Sequence, residues 1–261
     1  MSRLFSWMMR AAWSWARRSA EIRHGSRAAR RFAGYGPGTS IAFPTATVFG
    51  EPWIELGSHT LIGADITLAA GMLPGLDLGP RPLIRIGDGC TIGRGSHIVA
   101  HCSIEIGDHV FTGPYVYITD QNHVYSDTEV PVGRQWPVDD PVRIGSGTWL
   151  GANAVVLPGA RLGRNCVVAA GTVVRPGAYP DHSVIAGVPG RIVRRHDAEA
   201  GWIPRCARRA TAPTARTRPV RAAPAPAARP PLSPDPARGE TRAHHREGRG
   251  AGGGRRSSVV P

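Results

Sequence analysis

The hydrophobic positions of this chain recur with a step of six. Ile144, Leu150, Val156, Leu162, Val168 and Val174 follow one another at that interval without a miss, and Gly145, Gly151 and Gly163 come directly after three of them. Earlier stretches keep the same interval: Leu56, Ile62 and Leu68, then Ile86, Ile92, Ile98 and Ile104, then, after a two-residue slip to Ile106, Thr112 and Ile118. A step of six matches neither the period of an amphipathic helix nor the two-residue alternation of one long strand. It fits a coil of short strands and turns, in which each strand sends one aliphatic side chain inward while the adjacent glycine or small residue lets the backbone bend. Stacked coils satisfy one another's backbone groups and join the inward side chains into an apolar column. Such a column is open at both ends and needs caps.

Three regions depart from the beat. It stops at Ile118 and resumes at Val142, so residues 119–141 leave the coil, and their first stretch, "TDQNHVY", carries Asp120, Asn122, His123 and Tyr125 together. Near the start, Leu4, Trp7, Met8, Ala11, Ala12 and Trp15 share one stripe at helical spacing, which predicts a helix over residues 3–31 within a basic segment 1–33. That helix is expected to cover the open end of the coil; the alternative is a peripheral contact with anionic lipid, where Trp and Arg are both favoured. Residues 197–261 hold too few apolar side chains to offset chain entropy, which predicts a disordered tail behind a coil domain spanning 34–196.

Charge sharpens this division. The chain of 261 residues has a net charge of +13, yet residues 1–33 contribute eight Arg against one Glu and residues 197–261 thirteen Arg against five acids. The coil itself holds eleven Arg and thirteen acids, a net −2, so the basicity belongs to the ends. A solvated tail accounts for the distal arginines, and no nucleic-acid partner is expected. Cys90, Cys102, Cys166 and Cys206 form no C-x-x-C pair, as expected of reduced thiols in a cytoplasmic protein. The run "LFSWMM" is interrupted by Arg10, Arg17 and Arg18, too short and broken for a signal peptide or membrane span.

The stretches "IRIGDGCTIGRGSHI" and "VRIGSGTWLGANAVVLPGARLGRNCVVAAGTVV", closed by "VIAGVPGRIVR", resemble the hexapeptide-repeat acyltransferases, most of all the maltose, galactoside and polysaccharide O-acetyltransferase branch. The resemblance covers residues 50–196. It implies an all-β fold, a left-handed parallel β-helix of triangular section, assembled as a homotrimer with acetyl-CoA between neighbouring subunits. It also implies that His123 is a general base, since transfer from a thioester to a hydroxyl requires that hydroxyl to lose its proton and imidazole titrates near neutrality. Asp120 is a candidate to orient that ring, and His101, Asn122, Tyr125, Trp136, Asp139 and Asp140 are candidates to contact the acceptor. For the cofactor, the family's pattern points to Ala152 and Ala170 beside the pantetheine arm and to Arg175, Arg191 and Arg194 for the phosphates. Trp149 matches an aromatic position, with core or trimer packing as the simplest reading.

The reaction this implies is direct transfer of an acetyl group from acetyl-CoA to a hydroxyl of a sugar, glycan precursor or other small molecule. No covalent acyl-enzyme is needed, because nothing resembles a nucleophile elbow. Two rivals remain. A zinc-dependent carbonic anhydrase on the same coil needs three converging histidines, and the spacing of His97 and His101 argues against this. A non-catalytic scaffold of the same fold needs no base at all, so no metal and no chemistry are assigned on that reading.

Overall fold

A computed structural model describes residues 3–73 and 77–204. From Gly34 onward the chain winds through three parallel sheets in turn. The first face begins with Gly34–Tyr35 and has seven strands, and the third begins with Thr47–Phe49 and has six; the second has seven parallel strands beginning with Ser40–Ile41, extended to ten by three antiparallel strands at its ends. Strands stack in register from coil to coil; on the third face Ile98 lies between Leu68 and Ile118. This is a left-handed parallel β-helix.

The six-residue beat becomes the core. Ile62, Ile92, Thr112, Leu150 and Val168 on the second face, with Leu68, Ile98, Ile118, Val156 and Val174 on the third, are at most 2% exposed. Each such aliphatic side chain contributes roughly 1.5–3 kcal/mol by leaving water. A second buried position lies two residues before the inward one, and on the second face it is taken by Thr60, Cys90, Val110, Thr148 and Cys166. At the edge between the first and second faces it forms a ladder in which Thr60 Oγ1 donates to Gly87 O and accepts from Cys90 N, and Thr148 Oγ1 accepts from Cys166 N. Cys90 and Cys166 substitute for hydroxyls in that ladder, their Sγ atoms lying 3.1 Å and 3.3 Å from Gly107 O and Pro180 O.

The ends are closed differently from the sequence expectation. The helix, α1 (Arg3–Ala20), stops well short of residue 31, and none of its residues is buried. Beyond it Ile22–Arg23 pairs antiparallel with Ser40–Ile41, Gly25 turns the chain at φ +80°, and Ala29 and Phe32 are buried. Residues 21–33 therefore cover the column, and Arg31 holds them down through a 2.9 Å ion pair with Glu51. The helix could not extend through this segment because its backbone is needed to pair with the first coil. At the far end Ser183–Ala186 is followed by two antiparallel strands, Arg191–Asp197 and Gly201–Pro204. Ordered chain thus passes the boundary expected at residue 196. The tail expected to be disordered lies, from residue 205 onward, outside the described residues.

Both interruptions of the coil leave from one edge, where the third face turns back to the first. The coil is left after Thr67–Ala70 and resumed at Ile84–Ile86, and Trp53 Nε1 donates to Gly79 O at 2.8 Å on the way back. Residues 119–141 leave two coils later.

Candidate active site

The excursion is fastened at its neck. Gln121–Asn122 pairs antiparallel with Val138–Asp139, and Asp140 N donates to Asp120 O at 2.7 Å. Asp120 is fully buried; one carboxylate oxygen accepts from His101 N at 2.7 Å, the other from Cys102 N and Ser103 N at 2.8 Å and 2.6 Å. Both oxygens face the coil below. The role expected of Asp120, orienting His123, is corrected to anchoring the excursion. Three backbone donors at a turn draw in the carboxylate more strongly than one exposed imidazole could.

Beyond the neck the loop is stapled by Gln135, whose Nε2 donates to Asp127 O and Val130 O, each at 2.8 Å. Between the excursion and the edge beneath it lies a cavity of about 410 Å³, lined by Asn122, His123, Tyr125, Asp140, Pro158 and Pro176 together with Val124, Ser126 and Val138. His123 is exposed at its rim, and Tyr125 is 75% exposed. Asp140 is held over the edge by Gly159 N, which donates to Asp140 O at 3.0 Å. Gly159 has φ +76°, and a Cβ there would collide with the Asp140 carboxylate, so the close approach requires glycine.

The structure thus brings His123, Asn122 and Tyr125 together, with Asp140. Trp136 and His101 do not line the cavity. Trp136 is 55% exposed elsewhere on the excursion, and His101 Nδ1 lies 3.5 Å from Asp139 Oδ1 at the neck. Sequence reasoning missed Pro158 and Pro176. Their signal was present: "VVLPGA" and "VVRPGA" repeat the same turn eighteen residues apart, one full coil, which stacks the two prolines directly beneath the excursion.

Cys102, next to the anchor, is no nucleophile. Burial first, then the neighbouring Asp120 carboxylate, pushes its thiol up to about 12, so it stays protonated at neutral pH. Burial likewise raises the thiols of Cys90 and Cys166.

The cofactor candidates fall on a different edge, where the second face turns into the third. Ala152 and Ala170 are stacked there, Gly171 N donating to Ala152 O at 2.8 Å, and Gly113 and Gly151 pack so tightly that a Cβ on either would collide with the turn above. No side chain longer than a methyl stands at those two alanines. Arg191 continues the column: Ala186 pairs with it, and Gly190 N donates to Val173 O at 2.8 Å. Arg194 pairs with Val184 farther along the same strand. Arg175, beside Pro176, stands on the excursion edge and is separated from the other cofactor candidates, because the chain reaches it only after crossing the third face.

Trp149 is 49% exposed and so is not a core residue; it stands outward in register with Phe111, 51% exposed, on the second face. Of the coil histidines, His97 opens the strand His97–Ala100, His101 follows its far end, and His109 occupies a left-handed turn, φ 54°, at another edge. Among the described residues no group of three His, Cys, Asp or Glu side chains could hold a metal.

Fold and site together define a hexapeptide-repeat protein with a histidine-bearing excursion. Known proteins agree. The family described as bacterial transferase hexapeptide (six repeats) matches residues 141–176, and that described as hexapeptide repeat of succinyl-transferase matches residues 83–119. A probable acetyltransferase of Mycobacterium tuberculosis is 39% identical over 127 residues, which are 49% of this chain and 41% of that protein. WbbJ of Escherichia coli, named a putative lipopolysaccharide biosynthesis O-acetyl transferase, is 34% identical over 144 residues, 52% of this chain and 72% of its own length. The chain belongs to the hexapeptide-repeat acyltransferase family. It spans well under half of the Mycobacterium relative. In three dimensions it is similar to AntD of Bacillus cereus, an N-acyltransferase solved with dTDP and coenzyme A: the TM-score is 0.53 at 14% identity, over 67% of this chain and 91% of that one, which shows a shared fold.

Proposed function

We propose that this protein is an acetyl-CoA-dependent O-acetyltransferase acting on a hydroxyl of a sugar or glycan. The observation that carries the reading is the position of His123, at the rim of a cavity of about 410 Å³ that the excursion makes with Pro158 and Pro176. That size suits a monosaccharide unit or somewhat more. Similarity to WbbJ, and to the Escherichia coli galactoside O-acetyltransferase at 32% identity over 149 residues, supports a glycan hydroxyl as acceptor.

The small-residue edge fits a thioester carrier. Ala152 and Ala170 leave room for a narrow flexible arm, and the Arg191 guanidinium at the end of the column suits phosphate. Bound acetyl-CoA supplies the activated acyl group. The chain's own residues do the rest: Asn122, Tyr125 and Asp140 hold the acceptor in the cavity, and His123 takes the proton of its hydroxyl as that oxygen attacks, later passing it to the departing thiolate. Direct transfer needs no acyl-enzyme, consistent with the protonated Cys102 thiol.

On one protomer His123 and the small-residue edge stand at opposite borders of the third face. A rotationally symmetric homotrimer would place the excursion of one copy against the Ala152–Ala170 edge of the next, and the exposed Phe111 and Trp149 support such a contact. The reaction is tested by following thiol release from acetyl-CoA with a panel of sugars, nucleotide sugars and glycans. Acceptor-dependent release that vanishes in His123→Ala supports the reading. Release from no glycan, or equal release by the variant, removes it.

A further inference from the structure

We infer that α1 lies in the plane of an anionic membrane surface and attaches the protein there. Arg3, Ser6, Arg10, Ser14, Arg17 and Arg18 share a sector of about 120° on the helix, broken by Trp7. The remaining circumference is apolar apart from Ser19 and holds Leu4, Met8, Met9 and Trp15, which are 65%, 53%, 56% and 67% exposed. A helix that served as a lid would bury that arc. Here the side turned to the coil is the other one: the Trp13 ring lies 6.4 Å from Phe43, and Ser14, Arg17, Arg18 and Glu21 line a shallow cavity against Ala42 and Phe43. The domain is in contact with the polar side of the helix and with Trp13 at its margin, and the part of the apolar arc that holds Leu4, Met8 and Trp15 lies on the opposite side.

Charge names the occupant of that arc. Residues 3–20 carry four Arg and no acidic side chain, whereas the coil domain is slightly acidic, so an anionic surface is complementary to the helix and not to the coil. Trp at the boundary and Arg with its head in the phosphate layer are the side chains that interfacial helices favour. No helix among the described residues is long and apolar enough to cross a membrane. At about 27 Å, α1 is well suited to lying along the surface. This inference does not depend on the reading of catalysis.

Flotation of the full-length protein with vesicles of phosphatidylcholine alone, and with vesicles of phosphatidylcholine mixed with phosphatidylglycerol, tests it. The protein should float with the mixed vesicles and stay behind with the neutral ones. The double substitution Arg3→Gln with Arg10→Gln should lower binding by about 30-fold, and Leu4→Gln with Trp15→Gln by more than about tenfold. Because none of these side chains is buried, unfolding midpoints should not move, and light scattering should give the same particle mass for every variant. Equal recovery in the unbound fraction with both vesicles overturns the inference. So does a fall in particle mass for Leu4→Gln with Trp15→Gln, which would make the arc a contact between copies of this chain.

Discussion

The two borders of the third face are built from different kinds of chain. Along one, each coil from Ile62 onward turns through Gly or Ala without an added residue, and Gly113, Gly151, Ala152 and Ala170 leave a smooth column. Along the other, the coil is interrupted twice, between Ala70 and Ile84 and again at 119–141, and the second interruption carries the cavity. From Gly113 to Ala170 the smooth border has no room for an added side chain at its glycines, because successive turns touch there. The interrupted border accepts insertions, because a neck such as the one anchored by Asp120 returns the chain to register. On the proposed reading, the first border recognises a constant partner, the carrier of the acyl group, and the second a variable one, the acceptor.

Several measurements would break or sharpen this contrast. The largest effect is expected at the tip of the interrupted border, where His123→Ala should lower acceptor-dependent turnover by about 100-fold to 10,000-fold, equivalent to about 2.7–5.5 kcal/mol of barrier. Its unfolding midpoint should stay at the parental value, since the ring is exposed. Asp120→Ala strands three backbone N–H groups and should cost about 3 kcal/mol or more of stability in urea denaturation. A wild-type midpoint would show that the neck does not depend on this carboxylate. On the smooth border, Ala170→Leu should raise the KM for acetyl-CoA by about tenfold or more with kcat little changed. Arg191→Ala should also act on that KM, by about tenfold, an effect that shrinks as salt is added. An effect of either on the KM for the acceptor alone would reverse the assignment of the borders. The smallest effect is expected for Cys102→Ala, which should keep turnover within about twofold because a thiol pushed up to about 12 supplies no nucleophile.

The coil was legible because a repeated backbone imposes its own period: Ile144 to Val174 must each point inward, so each must be aliphatic. The excursion was legible by the same logic, as a gap between Ile118 and Val142. What one strand does to another was harder to read. The bonds from His101, Cys102 and Ser103 to Asp120 join positions one coil apart, and nothing in the local sequence distinguishes that carboxylate from a loop acid. The stacking of Pro158 on Pro176 could have been found from the eighteen-residue repeat, had the turns been compared as the strands were. At the N-terminus the helical stripe correctly predicted a helix but not its end, because antiparallel pairing of Ile22 with Ile41 is a tertiary demand.

The reversal of direction after Gly190 bears on solubility. A parallel stack that simply stopped would leave its last strand as a template on which another molecule could continue the same ladder. On the second face the chain instead doubles back twice: the reversed strand Arg191–Asp197 covers the last parallel strand, and the outermost strand among the described residues is the short Gly201–Pro204, whose proline has no amide hydrogen to give. Growth of one molecule onto another through that face is thereby discouraged, which a protein made of self-complementary turns needs if it is to remain dispersed when concentrated.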